Sequence, residues 1–388
     1  MTPDAPAPII LQEPPPPRRT RRAELWRLFR RNRMAVVGLA VFALFFATAV
    51  AGVALTSGPR PLIDPAQVRL QEKLRPPLSP AVAAVLSPAQ MPALNVYLCG
   101  TDDLGRDVFA RMLQGAWVSL TVGFVAVGIS VAIGIVMGGL AGYYGSRPVR
   151  WEQVAIALVM TAGAVLLAAG SRPLGAALLV GGHAWLFLSI SPWGCARLGS
   201  RCPAPLRFLQ RGALSVDTLV MRFVDIMLCF PSFFLILTVV ALLPASIYTI
   251  MIVIGLTSWE GTARFVRAEF LSLREQDFVA AARALGVGDR RIIFRHILPN
   301  AIAPVLVSAT LGIASAILTE AGLSFLGFGV PPPNATWGNI LSDGKRFIFD
   351  APWLTFIPGV AILLVVLSFN LFGEGLRDAL NPRLRERR

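Results

Sequence analysis

The sequence predicts an all-α protein, a polytopic bundle of transmembrane helices. Of its 388 residues, 55% are hydrophobic and only 15% are charged, whereas a soluble domain carries about a quarter charged residues. Several uncharged apolar runs reach the roughly 20 residues that a helix needs to cross a bilayer. If each run crosses the membrane in turn, the arginine-rich segments between the runs all lie on the same side of it, as the positive-inside rule requires. The chain is therefore expected to lie in a membrane.

The charge balance and the rare residue types exclude several function classes. Lys and Arg number 36 against 22 Asp and Glu, a formal charge of +14, which membrane topology explains without nucleic-acid binding. The four cysteines contain no Cys-x-x-Cys pair, and His183 and His296 lie far apart in sequence, so we expect no metal site. The Gly344-Lys345 pair lacks the first glycine of a P-loop, since Asn339 stands at that position. We therefore expect the chain not to be an enzyme.

The N-terminal region joins a basic tail to a long apolar run. Residues 1–33 are Pro-rich and then Arg-rich, which is typical of a cytoplasmic tail that leads into a short amphipathic helix. Residues 34–57 contain the first predicted transmembrane span. The alternative is a signal peptide that is cleaved after Ala47-Thr48-Ala49. The apolar run is longer than the hydrophobic core of a signal peptide, which has about 7–15 residues. Residues 58–106 are predicted to form a small external subdomain.

Five further apolar segments are predicted to cross the membrane within a core that covers residues 107–146 and 213–376. The second span is dense in glycine, which permits close packing of helices. Residues 226–259 are too many for one span, and Pro244-Ala245-Ser246 divides them into the third and the fourth. Glu320 is expected to end the fifth span. The five segments are 117–145, 226–243, from Ile247 into the next basic segment, 296–319 and 351–373.

Residues 147–212 are predicted to form an inserted helical hairpin. Two uncharged runs, 153–171 and 173–196, are separated by Arg172 and flanked by further arginines, so the hairpin is expected to begin and end in the cytoplasm. The first run is barely long enough to cross, which leaves a re-entrant hairpin as the alternative. With the hairpin the chain makes about eight crossings, and the basic segment 377–388 is a cytoplasmic tail.

The most informative segment is the charged, amphipathic stretch 268–300 between the fourth and fifth spans. Residues 276–285 are good helix formers, and Gly286 stands where a left-handed glycine ends a helix. Asp289 is placed to cap a second helix. A short helix with a small apolar face suits insertion into a groove on another protein, and a solvated or membrane-surface connector is the alternative. The apolar face consists of Phe278, Ala281, Ala282 and Leu285.

These residues resemble the EAA loop of ABC importer permeases, in which a glycine is followed at a fixed distance by Leu-Pro. Gly286 and Leu298-Pro299 match that pattern, and the sequence from Ala281 to Asn300 is similar to that of the dipeptide/oligopeptide/nickel branch. The resemblance covers residues 20–60, 95–146 and 213–385. Further stretches that carry it are 100–107, 221–225, 323–327, Pro331-Pro332-Pro333 with Trp337-Gly338, and 370–384.

The resemblance implies a type I ABC importer permease core with an N-terminal extra span and the inserted hairpin. Such a permease pairs with a second, homologous permease and receives di- or oligopeptides from an external binding protein. Two P-loop ATPase subunits bind ATP and Mg²⁺, and each permease docks on one of them. The chain itself would hold no cofactor. It would lie in a bacterial or archaeal inner membrane with both termini in the cytoplasm. Nickel or another small solute is an alternative cargo, and an ion-coupled secondary transporter is the alternative of a different class.

The resemblance also implies which residues serve the importer. One departure is Ala280, where the family's loop normally has a glutamate; the inserted hairpin is another. Glu320 and Trp337 are candidates for the pathway or its external gate, although interfacial solvation, a structural hydrogen bond or membrane anchoring would explain them equally. An i,i+4 ion pair is the simplest account of Glu260 and Arg264. The ATPase-coupling residues are Asp277, Phe278, Ala281, Ala282, Arg283, Leu285, Gly286, Asp289, Arg290, His296, Leu298 and Pro299.

Overall fold

The computed structural model describes residues 21–58, 61–82, 86, 91–145, 148–150, 159, 160, 162, 163, 167, 176–181 and 212–380. Most of the predicted hairpin, including His183, lies outside these residues, as do residues 1–20 and 381–388. The described part is mostly helical, which confirms the predicted all-α class. Its helices are α1 Arg21–Arg31, α2 Arg33–Thr56, α3 Val108–Tyr144, α4 Val216–Cys229, α5 Ser232–Leu242, α6 Ile247–Thr257, α7 Glu260–Leu273, α8 Asp277–Ala284, α9 Asp289–Ile292, α10 Leu298–Phe325, α11 Trp337–Gly344 and α12 Trp353–Leu380.

Four helical stretches among the described residues are long and apolar enough to cross a membrane: α2, α3, the run Asp289–Phe325 and α12. Helices α4 and α5 add a fifth only if they count as one broken span, because they meet at 81°. Pro231 explains this bend, since proline lacks an N–H and disfavours helical geometry in the residue before it. The predicted third span across residues 226–243 is therefore wrong as a continuous helix.

The predicted fourth span is also shorter than expected. Helix α6 covers 11 residues, or about 16 Å at 1.5 Å per residue, against a hydrocarbon layer of about 30 Å. The helix ends at Thr257, and α7 begins at Glu260 after Ser258 and Trp259. The eight crossings are thus not reached by the described residues, and the two assigned to the hairpin lie largely outside them.

Helix α3 is the centre of the bundle and packs on α2, α6, α7 and α10. Its glycines allow this, as the sequence predicted. A Cβ added at Gly138 would overlap the carbonyl oxygen of Ala263, and one at Gly142 would lie 2.8 Å from the carbonyl oxygen of Arg267. Contacts this short with backbone cannot be relieved by a side-chain rotation. Glycine therefore fixes how closely α7 approaches α3.

The bundle has two ends, which we name by their most distinctive helices. The α11 end holds residues 61–107, α11 and the start of α3. The α8 end holds α1, α8, α9 and the end of α3. Two short strands, β1 Ser79–Pro80 and β2 Val96–Tyr97, pair antiparallel at the α11 end.

At the α8 end, β3 Pro148–Arg150 pairs antiparallel with β4 Gly212–Ser215. Arg150 lies opposite Gly212 in this ribbon. The ribbon therefore brings the two ends of the predicted hairpin together, and α3 connects to α4 across it.

Candidate functional site

Helix α8 is the predicted helix of the segment 268–300, and its end is well defined. Gly286 has φ +74°, the left-handed conformation that the sequence predicted. Its N–H donates to the carbonyl of Arg283 (2.9 Å), and the N–H of Val287 donates to the carbonyl of Ala282 (3.1 Å). These two bonds form a Schellman motif, which satisfies the last carbonyls of the helix. The turn is rigid because both of its donors are used.

The two faces of α8 are divided differently from the prediction. Phe278 and Leu285 point outward, with 40% and 84% of their surface exposed, and Ala281 is exposed beside them. Ala282 was predicted on this face, but it is buried together with Val279. Both residues pack on a cluster that includes Ile292 and Ile297. A small residue lets α8 lie close to the bundle, while the large apolar side chains stay accessible.

Asp289 does not cap the second helix as predicted. The N-cap of α9 is Gly288, with no side-chain bond. The carboxylate of Asp289 instead accepts a hydrogen bond of 2.7 Å from the hydroxyl of Tyr143 at the end of α3. The guanidinium of Arg283 lies 5.5 Å from the centre of the same tyrosine ring. A tertiary partner thus replaces the local cap, and it fastens the segment to α3.

The local backbone geometry explains why a Leu-Pro pair stands at Leu298-Pro299. A π-helical turn, Ile293–Ile297, joins α9 to α10, and the N–H of Leu298 donates to the carbonyl of Ile293. Pro299 has no N–H to continue the α-helical ladder, and the side chain of Asn300 donates to the carbonyl of His296 (2.7 Å). The predicted start of the fifth span at His296 is therefore a π turn, and α10 begins at Leu298. Single π-helical turns within α-helices occur frequently at functional sites.

A wide groove opens beside this turn. Its volume is about 860 Å³, and it is lined by residues 288–291, 294, 295 and 299. Phe294 contributes an apolar surface and is 62% exposed. Arg290 was a predicted site residue. Arg291 and Arg295, which line the groove with it, were not, although the sequence shows all three within six residues.

The ion pairs around α7 differ from the predicted Glu260–Arg264 pair. The guanidinium of Arg264 donates instead to Asp225 of α4 at 2.8 Å, and the buried Oε2 of Glu260 has no hydrogen-bond partner among the described residues. Arg267 makes a two-pronged ion pair with Asp217, also on α4. Partners on a neighbouring helix are preferred over the i,i+4 position, so these pairs tie α7 to α4.

At the α11 end, Glu320 lies inside α10, which runs on to Phe325 and is not ended by the glutamate. Its side chain is fully buried. The carboxylate accepts hydrogen bonds from the hydroxyls of Ser324 (2.7 Å) and Ser119 (3.4 Å). The geometry shows the structural hydrogen bonds and excludes interfacial solvation, and the role of Glu320 in the pathway or its gate stays a prediction.

Trp337 is buried as well, with 1% of its surface exposed. Its indole N–H donates to the carbonyl of Met112 (3.2 Å), and its ring packs edge-on against Phe45. Anchoring at the membrane surface needs an exposed ring, so that alternative is wrong. Thr336 and Asn339 form a capping box at the start of α11, which fixes the helix against α3 and α10.

A network of four charges at the α11 end was missed by the sequence analysis. Asp102 accepts from Arg106 (2.7 Å) and Arg111 (2.6 Å), and both guanidinium groups also reach Asp343 of α11, at 3.2 Å and 2.9 Å. Asp102 and Arg111 are buried. The residues 100–107 were noted as a family motif, but nothing near them in sequence indicates a partner that lies 237 positions beyond Arg106.

Burial also raises the pKa of two side chains in this region. It raises the pKa of the Cys99 thiol to about 11, and the neighbouring Asp107 carboxylate adds to this effect. Burial raises the pKa of the Asp107 carboxyl, while the backbone N–H groups of Phe109 and Ala110 oppose that rise. Both shifts show that water is largely excluded where the segment 99–107 meets the bundle.

Comparisons with known proteins find relatives over nearly the whole chain. Residues 211–386 match the family described as "Binding-protein-dependent transport system inner membrane component", and residues 20–77 match "N-terminal TM domain of oligopeptide transport permease C". The chain is 34% identical to the dipeptide transport system permease protein DppC of Alkalihalophilus pseudofirmus, over 97% of both chains. It is 33% identical to DppC of Haemophilus influenzae, over 94% of this chain and 95% of that one. For the oligopeptide transport system permease protein OppC of Bacillus subtilis the identity is 30%, over 92% and 88%.

Proposed function

Because the chain belongs to the family of binding-protein-dependent transport system inner membrane components, we propose that it is the membrane-spanning permease subunit of an ATP-driven peptide importer. The family membership confirms the resemblance drawn from the sequence motifs. Relatives at 30–34% identity carry the names of dipeptide and oligopeptide permeases, which favours peptides over nickel or another small solute as cargo. The inner membrane is the corresponding location.

The observation that supports this function most directly is the outer face of α8. Phe278 and Leu285 are held out by a helix whose inner face, Val279 and Ala282, packs on the bundle. Its C-terminal end is fixed by the Schellman turn at Gly286 and by the bond between Asp289 and Tyr143. A rigid helix with accessible apolar residues is suited to a groove on another protein. We assign that groove to a P-loop ATPase subunit, which supplies the ATP and Mg²⁺ chemistry of the importer.

The connections of α8 suggest how ATPase movement reaches the bundle. Asp289 ties the segment to the end of α3, and the π turn leads directly into α10. A push on α8 therefore acts on two long helices at once. Rigid-body rocking of helices about a fixed site is the usual form of alternating access. In this account α8 transmits the closure of the ATPases, and the α11 end faces the external binding protein.

The remaining partners follow from the same proposal. A second, homologous permease completes the pathway, and two ATPase subunits occupy the α8 ends of the two permeases. The residues assigned to coupling are those of α8 and its flanks, from Asp277 to Pro299. An ion-coupled transporter would need ionisable groups at mid-membrane, whereas Glu320 is held by hydroxyl groups near the end of α10.

The proposal is tested by recovering the tagged chain from its own gently solubilised membranes and identifying its companions by mass spectrometry. The expected companions are a second multi-span permease and P-loop ATPase subunits, together with uptake of a labelled dipeptide by the reconstituted complex. Recovery of the chain alone, or as a homo-oligomer without an ATPase, would contradict the proposal. Uptake of nickel without peptide would retain the importer and change its cargo.

A further inference from the structure

We propose that the exposed face of α1 binds the headgroups of anionic phospholipids at the α8 end of the bundle. The phosphates meet Arg27, Arg30 and Arg31, which we name the basic face of α1, and the ring of Trp26 enters the membrane interface beside them. This inference goes beyond the proposed function, because it concerns neither the ATPases nor the cargo. It requires only that the chain lies in a membrane.

The sequence of α1 separates basic from apolar residues around the helix. Residues 21–33 contain six arginines and one acidic residue, Glu24. At 3.6 residues per turn, the basic face covers an arc of about 100° and the large apolar residues share the opposite side. A helix with arginines on one side and Trp, Phe and Leu on the other is typical of helices that lie in the plane of a membrane interface. The apolar residues are Leu25, Trp26, Leu28 and Phe29.

The packing of α1 places it where the bundle leaves the hydrocarbon layer. Phe29 is buried, and its ring meets that of Phe372 edge-on, with 5.7 Å between the ring centres. Phe372 belongs to α12, which is long and apolar enough to cross a membrane. It stands two positions before Glu374, the first charged residue of that helix. The contact therefore holds α1 at the level of the lipid headgroups.

The connection to α2 also keeps α1 at this level. Asn32 alone separates the two helices, and it is extended, with φ −82° and ψ 99°. Its side chain accepts a hydrogen bond of 3.2 Å from the N–H of Ala35 and so caps α2. Because an extended residue turns the chain, α1 does not continue along the axis of α2. Arg30 and Arg31 stand only four and three positions before Met34, where the apolar run of α2 begins.

The surface that α1 leaves open combines cations with an aromatic ring. Trp26 is 52% exposed, and its ring stacks on Phe29 at 5.9 Å. Arg27, Arg30 and Arg31 are exposed and make no ion pair or side-chain hydrogen bond among the residues that the structure describes. Guanidinium groups bind phosphate oxygens with two parallel hydrogen bonds, and Trp is enriched at membrane interfaces. A protein surface would also accept the arginines, but the depth of Trp26 favours lipid.

The test is photo-crosslinking from α1 in a bilayer of known composition. Benzoylphenylalanine replaces Trp26 in the full chain, which is reconstituted in nanodiscs with equal amounts of phosphatidylglycerol and phosphatidylcholine. The matched control carries the same residue in place of Leu44, which is 62% exposed midway along the apolar run of α2. After irradiation, mass spectrometry measures the ratio of the two lipids among the adducts. Two further versions, Arg27→Gln/Arg30→Gln/Arg31→Gln and the same three positions changed to Lys, vary the charge.

The proposal predicts that position 26 captures phosphatidylglycerol about fivefold over phosphatidylcholine, since one arginine near an anionic surface favours it by about that factor. In the Gln variant the ratio should fall to that of the Leu44 control, where acyl chains are met without selection for the headgroup. The Lys variant should keep most of the excess. Raising the salt concentration from about 0.1 M to about 1 M should lower the excess, because the Debye length shortens from about 10 Å to about 3 Å.

Several results would overturn the inference. Equal capture of the two lipids from position 26, or an excess that survives the Gln substitutions or is matched at position 44, would show that the arginines only orient the chain in the membrane. Lipid adducts from position 44 without any from position 26 would place α1 away from the bilayer. In the chain's own membranes, capture of a protein in place of lipid would make α1 a protein-docking surface. If the Gln variant does not fold, the Lys variant and the salt dependence still decide.

Failure of this inference is distinguishable from failure of the proposed function. Lipid capture from α1 is measured on the chain alone, whereas the proposed function depends on recovery of the ATPase and on peptide uptake. Loss of the lipid preference with unchanged ATPase recovery leaves the importer intact, and the reverse result leaves the lipid site intact.

Discussion

The charged cluster around Arg111 at the α11 end and the arginines of the groove at the α8 end are used in opposite ways. At the α11 end, Asp102, Arg106, Arg111 and Asp343 pair with one another, and the centre of the network is buried. At the α8 end, the arginines of the groove are exposed and have no carboxylate partner among the described residues. Large apolar side chains do not follow this division, since Leu285 is 84% exposed at the α8 end and Leu62 and Phe349 are 73% and 96% exposed at the α11 end.

This difference shows at which end the chain's own residues satisfy the buried charges. Buried charges are stable only when they are paired, so the α11 end has been assembled from the chain's own residues, across more than 200 sequence positions. The α8 end is internally rigid at Gly286 and Asp289, but Phe278 and Leu285 on its outer surface stay exposed in the part of the chain that the structure describes. Such a surface is expected where another subunit binds.

The largest effect should separate the two ends by stability. Arg111→Ala leaves the buried carboxylate of Asp102 with Arg106 as its single ionic partner, and breaking a buried ion pair costs about 3–5 kcal/mol. Arg291→Ala on the exposed groove should change stability by less than about 0.5 kcal/mol. Thermal unfolding of the two purified variants in the same detergent measures both. Equal losses of stability would contradict the distinction between a closed and an open end.

The next effect concerns transport. Gly286→Asp forces a side chain into a left-handed conformation, at about 1 kcal/mol, although an added Cβ would meet no atom within 4 Å. We expect transport to be lost while membrane insertion is unchanged. Gly288→Ala is the control, because Gly288 has φ −66° and similarly open surroundings. Normal peptide uptake by the Gly286→Asp variant would remove Gly286 from the coupling mechanism.

A smaller effect is expected at the π turn. Asn300→Ala removes the bond from its side chain to the carbonyl of His296, a loss of about 1 kcal/mol, and it loosens the connection between α9 and α10. Peptide uptake per ATP hydrolysed should fall, while ATPase recovery stays at the wild-type level. Asn334→Ala is the control, because it makes the same substitution at the α11 end, away from the π turn. An unchanged ratio of uptake to hydrolysis would show that the turn is only a structural joint.

The smallest effect should come from removing the hairpin. Because β3 and β4 already hold its two ends together, residues 151–211 can be replaced by a two-residue Asn-Gly turn, which suits a tight antiparallel hairpin. We expect ATPase recovery and uptake within about twofold of wild type, a difference of roughly 0.4 kcal/mol. Loss of ATPase recovery would show that the hairpin contributes to ATPase binding at the α8 end.

The sequence predicted those features that are decided locally. The turn at Gly286, the helix before it and the apolar spans α2 and α12 depend on near neighbours and on composition. Pro231 was also a local signal, and the bend between α4 and α5 could have been read from it.

The missed features depend on partners that are distant in sequence. Asp289 bonds to Tyr143, 146 positions away, in place of its own helix N-terminus. Ala282 faces inward because a small residue fits against the bundle, although the helical period allows either face. The network around Arg111 joins two segments whose proximity exists only after α3, α10 and α11 have packed.

The most direct test of the central claim is site-specific photo-crosslinking from the two ends. A photoreactive residue replaces Leu285 in one version of the full chain, and it replaces Phe349, which is 96% exposed at the α11 end, in the other. Both are irradiated in their own membranes, and the captured proteins are identified by mass spectrometry. The account predicts that Leu285 captures a P-loop ATPase and Phe349 does not. Capture of an ATPase from Phe349, or of lipid alone from Leu285, would contradict it.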